Sequence, residues 1–280
     1  MGPLLVNHRT EDITMRMSFT HFIARVLPAA AGLTLPMWVS ATPPTDQFGS
    51  LAYSCAGASS GSGVPVQSID LASLFKPEDS KCKEAFSPAM ALVKAKANHA
   101  VSGSSSGSAQ AQPGGKLRVR TSNNVTNNGE VGGAIAGFTD VLMIDSPGLT
   151  NTSGVLYYRV KVKGTLETHG LSGATLFRIL PLVPHRVTFW KDWSAQTDWS
   201  QPDVVLNVDE TAIVAANFVF GEAFHLTTTA WAISGGGNTH GTVAFDAKDS
   251  IRLKGVDHIT TYEGAPVTDY TLSSQAGLPW

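Results

Sequence analysis

The stretch VLYYRVKVKGTL, residues 155–166, decides the fold. Leu156, Tyr158, Val160, Val162 and Leu166 fall on one parity, and Arg159, Lys161, Lys163 and Glu167 on the other. In a helix, residues two apart point to nearly opposite sides, so this spacing would scatter the apolar groups. In a strand it gives one apolar face and one charged face. The stretch therefore predicts a strand with one buried and one wet face, as antiparallel sheets commonly have.

The same reading extends in both directions. Upstream, Pro113-Gly114-Gly115 is a turn signal between alternating runs, so residues 108–121 read as a hairpin. Residues 134–144, with Phe138, read as a long strand ended by Pro147-Gly148. Ala95 and Ala97 already alternate with polar residues. Downstream, further strands are expected at 174–180, 187–190, 204–208, 213–220, 224–233, 242–245, 250–256 and 267–272. Prolines fall between these runs rather than inside them, as sheets require. Parallel crossovers need a dozen or more residues, and no helical pattern lies between the runs, so antiparallel pairing remains. The expected fold is all-β: an antiparallel sandwich or jelly roll over residues 94–280. Residues 42–93 read as its irregular introduction, with a Gly/Ser-rich loop over 57–63 and short helices at 69–75 and 85–93.

The first 41 residues carry a different signal. Residues 17–41 read MSFTHFIARVLPAAAGLTLPMWVSA, with Arg16 and Arg25 before an uncharged apolar run over 26–39. Val39-Ser40-Ala41 offers small residues where a signal peptidase cuts, so cleavage is expected after Ala41. The run is shorter than the roughly 20 residues that span a bilayer, so the export signal is the one membrane contact expected. Residues 1–16 are polar and precede Met17, and are expected to be an over-long start. The expected location is secreted, extracellular or at the cell surface. In that setting Cys55 and Cys82, the two cysteines of the chain, are expected to form a disulfide.

Charged residues are 15% of the chain and the formal net charge is −2. No basic excess points to a nucleic-acid partner. The candidate binding segment is WKDWSAQTDW, residues 190–199. Trp190, Trp193 and Trp199 offer flat indole faces to sugar rings, and Asp192 and Asp198 accept hydrogen bonds from hydroxyls. The competing structural reading is that the indoles cover one end of the core. Asp192 and Asp198 also suit a glycosidase acid pair, whose separation a sequence does not give.

The histidines at 99, 169, 185, 225, 240 and 258 show no metal-ligand spacing, and no GxSxG element occurs. Asp246, Asp249 and Asp257, or Asp140 with Asp145, suit calcium by their oxygen chemistry alone, without an EF-hand spacing. No other cofactor is expected. Asn124-Val-Thr126 and Asn151-Thr-Ser153 match the glycosylation sequon and read as bare turns.

Three stretches together resemble a known group. They are GAIAGFTDVLMIDSPGLTNTSGVLYYRVKVKG over 133–164, FVFGEAFHL within 218–233, and AFDAKDSIRLKGVD followed by GAPVTDYTLSS towards the end of the chain. Their order is similar to that of bacterial exported β-sandwich proteins with PEP-CTERM sorting tails, over residues 95–280 in patches. The resemblance implies a cell-surface or extracellular-polymer setting and carries over no catalytic residue. The Pro-Glu-Pro motif, apolar helix and basic end of such a tail are not found before Trp280. The expected function is therefore a non-catalytic structural or adhesive protein of an extracellular matrix. A carbohydrate-binding module is the first alternative, and an exported glycan-active enzyme the second. The expected partners are extracellular polysaccharide or copies of the same chain.

Overall fold

The computed structural model describes residues 49–59, 75–100, 103–125, 130–171, 173–236, 239–247 and 249–280. The expected leader, its cleavage site at Ala41, the loop beyond residue 59 and residues 69–74 of the helix expected at 69–75 lie outside these residues, and Phe75 is in a strand. The described strands are β1 (Gly49–Ser59), β2 (Phe75–Ser87), β3 (Val93–His99), β4 (Gly103–Gln112), β5 (Lys116–Val125), β6 (Glu130–Asp145), β7 (Ser153–Gly170) and β8 (Gly173–Leu182). They continue with β9 (Thr188–Phe189), β10 (Lys191–Gln196), β11 (Asp203–Val219), β12 (Ala223–Gly236), β13 (Thr239–Phe245), β14 (Ile251–Thr261), β15 (Pro266–Val267) and β16 (Thr271–Ser274).

Sheet A runs β10-β8-β12-β6-β1-β2, with β16 also on β6. Sheet B runs β15-β14-β5-β13-β7-β11-β9, with β4 on β5 and β3 on β4. Every pairing is antiparallel, and the two sheets pack together as a sandwich.

The deciding stretch lies in β7, where Leu156, Tyr158, Val160, Val162 and Leu166 are buried. Its length lets it serve two partners on one side: β14 pairs along residues 154–162 and β13 along 165–170. The expected hairpin is β4–β5, and Gly114 and Gly115 both take positive φ in its turn, which glycine adopts without a Cβ clash. Between the sheets, Phe177 of sheet A stacks on Phe245 of sheet B with centroids 3.7 Å apart. Gly164 makes room for that ring, since a Cβ there would stand 2.5 Å from Phe245 and 2.4 Å from the Ala244 carbonyl oxygen. Tyr158 crosses the core to share a hydrogen bond with Thr228 Oγ1 at 2.8 Å. Burial pushes its phenol well above the usual range, and the hydrogen bond offsets only part of that.

Several expectations are corrected. The sheets begin at Gly49, not at 94: β1 and β2 form a hairpin in sheet A, and among the described residues no helix occurs. The helix expected at 85–93 is instead the end of β2, a turn at Pro88 and the start of β3. Pairing with β1 supplies the backbone partners there, and local propensity gives way to it. The runs at 204–208 and 213–220 are one strand, β11, because β7 pairs with it along its whole length. The strand expected at 187–190 shrinks to β9, and the one at 267–272 splits into β15 and β16 in different sheets.

Candidate functional site

The expected binding segment is a strand. β10 is an edge of sheet A, paired with β8 from Lys191↔Ile179 to Gln196↔Ala174. Strand alternation separates its side chains: Trp193 and Ala195 enter the core between the sheets, while Asp192 and Ser194 face outward. Trp193 is 9% exposed, its ring packs on Phe177 at 5.3 Å, and its indole N–H donates to Glu210 Oε1 at 2.8 Å. It is a core residue, so the three tryptophans do not form one platform.

Trp190 and Asp192 gather around Arg178, a residue with no motif to mark it in the sequence. Arg178 of β8 sits directly across from Asp192 and donates through Nε and Nη2 to both carboxylate oxygens, each at 2.6 Å. Its guanidinium carbon lies 5.3 Å from the Trp190 ring centroid. Such a two-point fork fixes direction as well as charge. The signal was present as a lone arginine within the apolar run ATLFRIL. At the other end of β10, Asp198 accepts from the Ser200 hydroxyl and from the Ser200 and Gln201 N–H groups. Those bonds hold its carboxyl below the usual value. Trp199 beside it is 82% exposed. Asp192 near the start of β10 and Asp198 beyond its end are thus held by separate sets of partners.

The acids considered for calcium are also dispersed. Asp246 pairs with Arg120 at 3.1 Å, Asp249 with Lys116 at 3.0 Å and Asp257 with Arg159 at 3.7 Å. Asp140 is buried and accepts from Ser274 Oγ, the Ala276 N–H and the Trp280 indole N–H, so it clamps the C-terminal segment. Asp145 accepts from the Ser146 N–H and the Thr150 hydroxyl. Among the described residues no three His, Cys, Asp or Glu side chains gather as metal ligands would. His99 forms a buried pair with Glu130 at 3.1 Å, His169 pairs with Asp203 at 2.9 Å, and His258 pairs with Asp257 and stacks on Tyr157. The sulfurs of Cys55 and Cys82 are bonded, and the two residues face each other across β1 and β2.

The two outer faces of the sandwich have opposite chemistry. On sheet A one row runs Asp192, Arg178, Trp231, Ile135, Tyr53, each facing the next across a strand pair. Around it lie Cys55, Val131, Leu176, Leu180 and Ile233, and this second apolar cluster is buried. On sheet B the rows are polar. Lys94 faces Gln110, which faces Arg118; Lys96 faces Ser108, which faces Arg120. A further row runs Gln112, Lys116, Arg252, Lys161. The sequence carried this signal as KAKA at 94–97 and KLRVR at 116–120, where basic residues alternate with core residues.

No protein-family model matches the chain, and no curated protein matches it.

Proposed function

We propose that the protein is a non-catalytic β-sandwich of the cell exterior, secreted or held at the surface, with a structural or adhesive role in an extracellular matrix. The observation that carries this reading is the broad outer face of sheet B. There, register sets polar side chains in parallel rows on a rigid layer. A broad surface with repeating rows suits an extended polymer, whereas small-molecule sites are concave. The leader pattern over residues 17–41, the Cys55–Cys82 bond and the resemblance to PEP-CTERM-type exported proteins support the exterior setting. The assignment of Asp192 to Arg178 and of Asp198 to its own turn supports a non-catalytic role.

The test has two arms. Purified protein is mixed with a panel of matrix polysaccharides, and both retention and release of reducing sugar are measured. Retention without sugar release supports the reading, and sustained sugar release sinks it. The exposed indoles of Trp190 (45%) and Trp199 (82%) favour a second reading, stacking on neutral sugar rings. A Trp190→Ala, Trp199→Ala double variant that loses retention on neutral insoluble glycans would establish that alternative.

A further inference from the structure

We propose that the β3–β4–β5–β14 part of the outer face of sheet B binds an acidic polysaccharide, one bearing a carboxylate or sulfate on successive repeats. The inference rests on the adhesive reading and names the ligand class for the same face. Lys94, Lys96, Arg118, Arg120, Arg252 and Lys254 project from this region, and Lys116 joins them in the row of Arg252. Among the described residues of this region, Arg120 and Lys116 are paired with acids, Asp246 and Asp249. Among the described residues Lys94, Lys96, Arg118, Arg252 and Lys254 have no ion-pair partner, and the Arg118 Nε is buried without a hydrogen-bond acceptor. The excess positive charge is local, since the whole chain is formally −2.

Geometry selects the ligand. Lys94 and Arg118 stand two strands apart, as do Lys96 and Arg120. That is about 10 Å across the sheet, and the two rows are about 7 Å apart along the strands. Antiparallel pairing on both sides of β4 and β5 holds the bases of these side chains apart in a two-dimensional array across the face. A chain with charge at every repeat satisfies several at once and gains from multivalency. Between the cations lie Ser108 and Gln110, with Gln112 beside Lys116, and their hydroxyl and amide groups match sugar hydroxyls. Among the described residues of β3, β4 and β5 the outward positions carry no aromatic side chain on which bases would stack, as single-stranded nucleic acid requires.

The test measures affinity for polygalacturonate, dextran sulfate, neutral dextran and a short DNA duplex at two salt concentrations. It compares the wild type with Lys94→Gln, Lys96→Gln, Arg118→Gln and with a control, Lys81→Gln, Lys83→Gln, Lys191→Gln. The control removes the same charge from the β2 and β10 edges. Unchanged thermal unfolding establishes that both triple variants fold. The expected result is binding to polygalacturonate or dextran sulfate that weakens with salt. It should fall at least tenfold in the face variant and stay within about twofold in the control. The carboxylate and sulfate arms show which anion is preferred. Equal losses in both variants would reduce the effect to net charge and overturn the inference. Tighter binding to duplex DNA than to either acidic glycan would overturn it too. Retention only on neutral dextran would overturn it and leave the adhesive reading standing. No retention on any polymer in the panel would remove both.

Discussion

The outer faces of sheets A and B are built by the same pleat yet follow opposite rules. On sheet B, β7 alternates apolar and charged residues, and its outward side chains meet water. On sheet A, residues 130–140 of β6 are buried on both parities, and β8 is nearly as continuous. A strand with one wet face must alternate, whereas a strand buried on both faces reads as an unbroken apolar run. Trp231, Ile135 and Tyr53 are therefore outward in the pleat but not exposed, while Lys94, Lys96 and Arg252 are outward and exposed. Position in the pleat alone does not mark a surface that can meet a partner.

The contrast predicts that substitutions on the two faces differ sharply in cost. The largest effect is expected for Trp231→Ala, which empties a buried indole site on sheet A. Chemical denaturation should show a loss of about 3–5 kcal/mol, and a loss below about 1 kcal/mol would break the contrast. Replacing both cysteines by serine should cost about 3–4 kcal/mol, given a sequence separation of 27 between the linked residues. Wild type treated with reductant should match that variant. Asp192→Asn leaves the Arg178 guanidinium, 5% exposed, without its carboxylate. A loss of about 2–3 kcal/mol is expected there, from the penalty for a buried charge left short of partners.

On sheet B, Thr242→Ala on the outer face should change stability by no more than about 0.5 kcal/mol. The smallest effect concerns Asp209, whose carboxyl is held below its usual value by hydrogen bonds from Lys161 and then Lys163. A lowered folded-state value means the contribution is present above about pH 4, the ordinary carboxylate range, and is lost as pH falls through the folded value. Asp209→Asn should therefore slightly flatten the acid limb of a stability-versus-pH curve and leave neutral pH nearly unchanged. The effect should shrink further in high salt, because both partners face water.

Much of the fold was legible because alternation is a local property. The inward set of β7 and the hairpin at Pro113-Gly114-Gly115 could both be read from adjacent residues. The N-terminal strands were not. Residues 75–87 carry a proline, charges and no steady period, and they extend because β1 lies alongside. The candidate site was the least legible part. Its tryptophans are close in sequence, but in a strand neighbours of opposite parity part company. Trp193 goes to the core, and Trp190 stays beside Arg178. Arg178 and Asp192 are 14 residues apart, and only the β8–β10 register brings them together.

The sequence by itself determined that this chain forms antiparallel sheets, where its clearest strands run, and which side of β7 is buried. Each follows from side-chain spacing along the backbone. The tertiary structure decided which strands are neighbours, which outward face is buried, and where the cations of separate hairpins line up. Those depend on register between segments far apart in the chain, and a one-residue shift in register would turn every side chain of a strand to the other face.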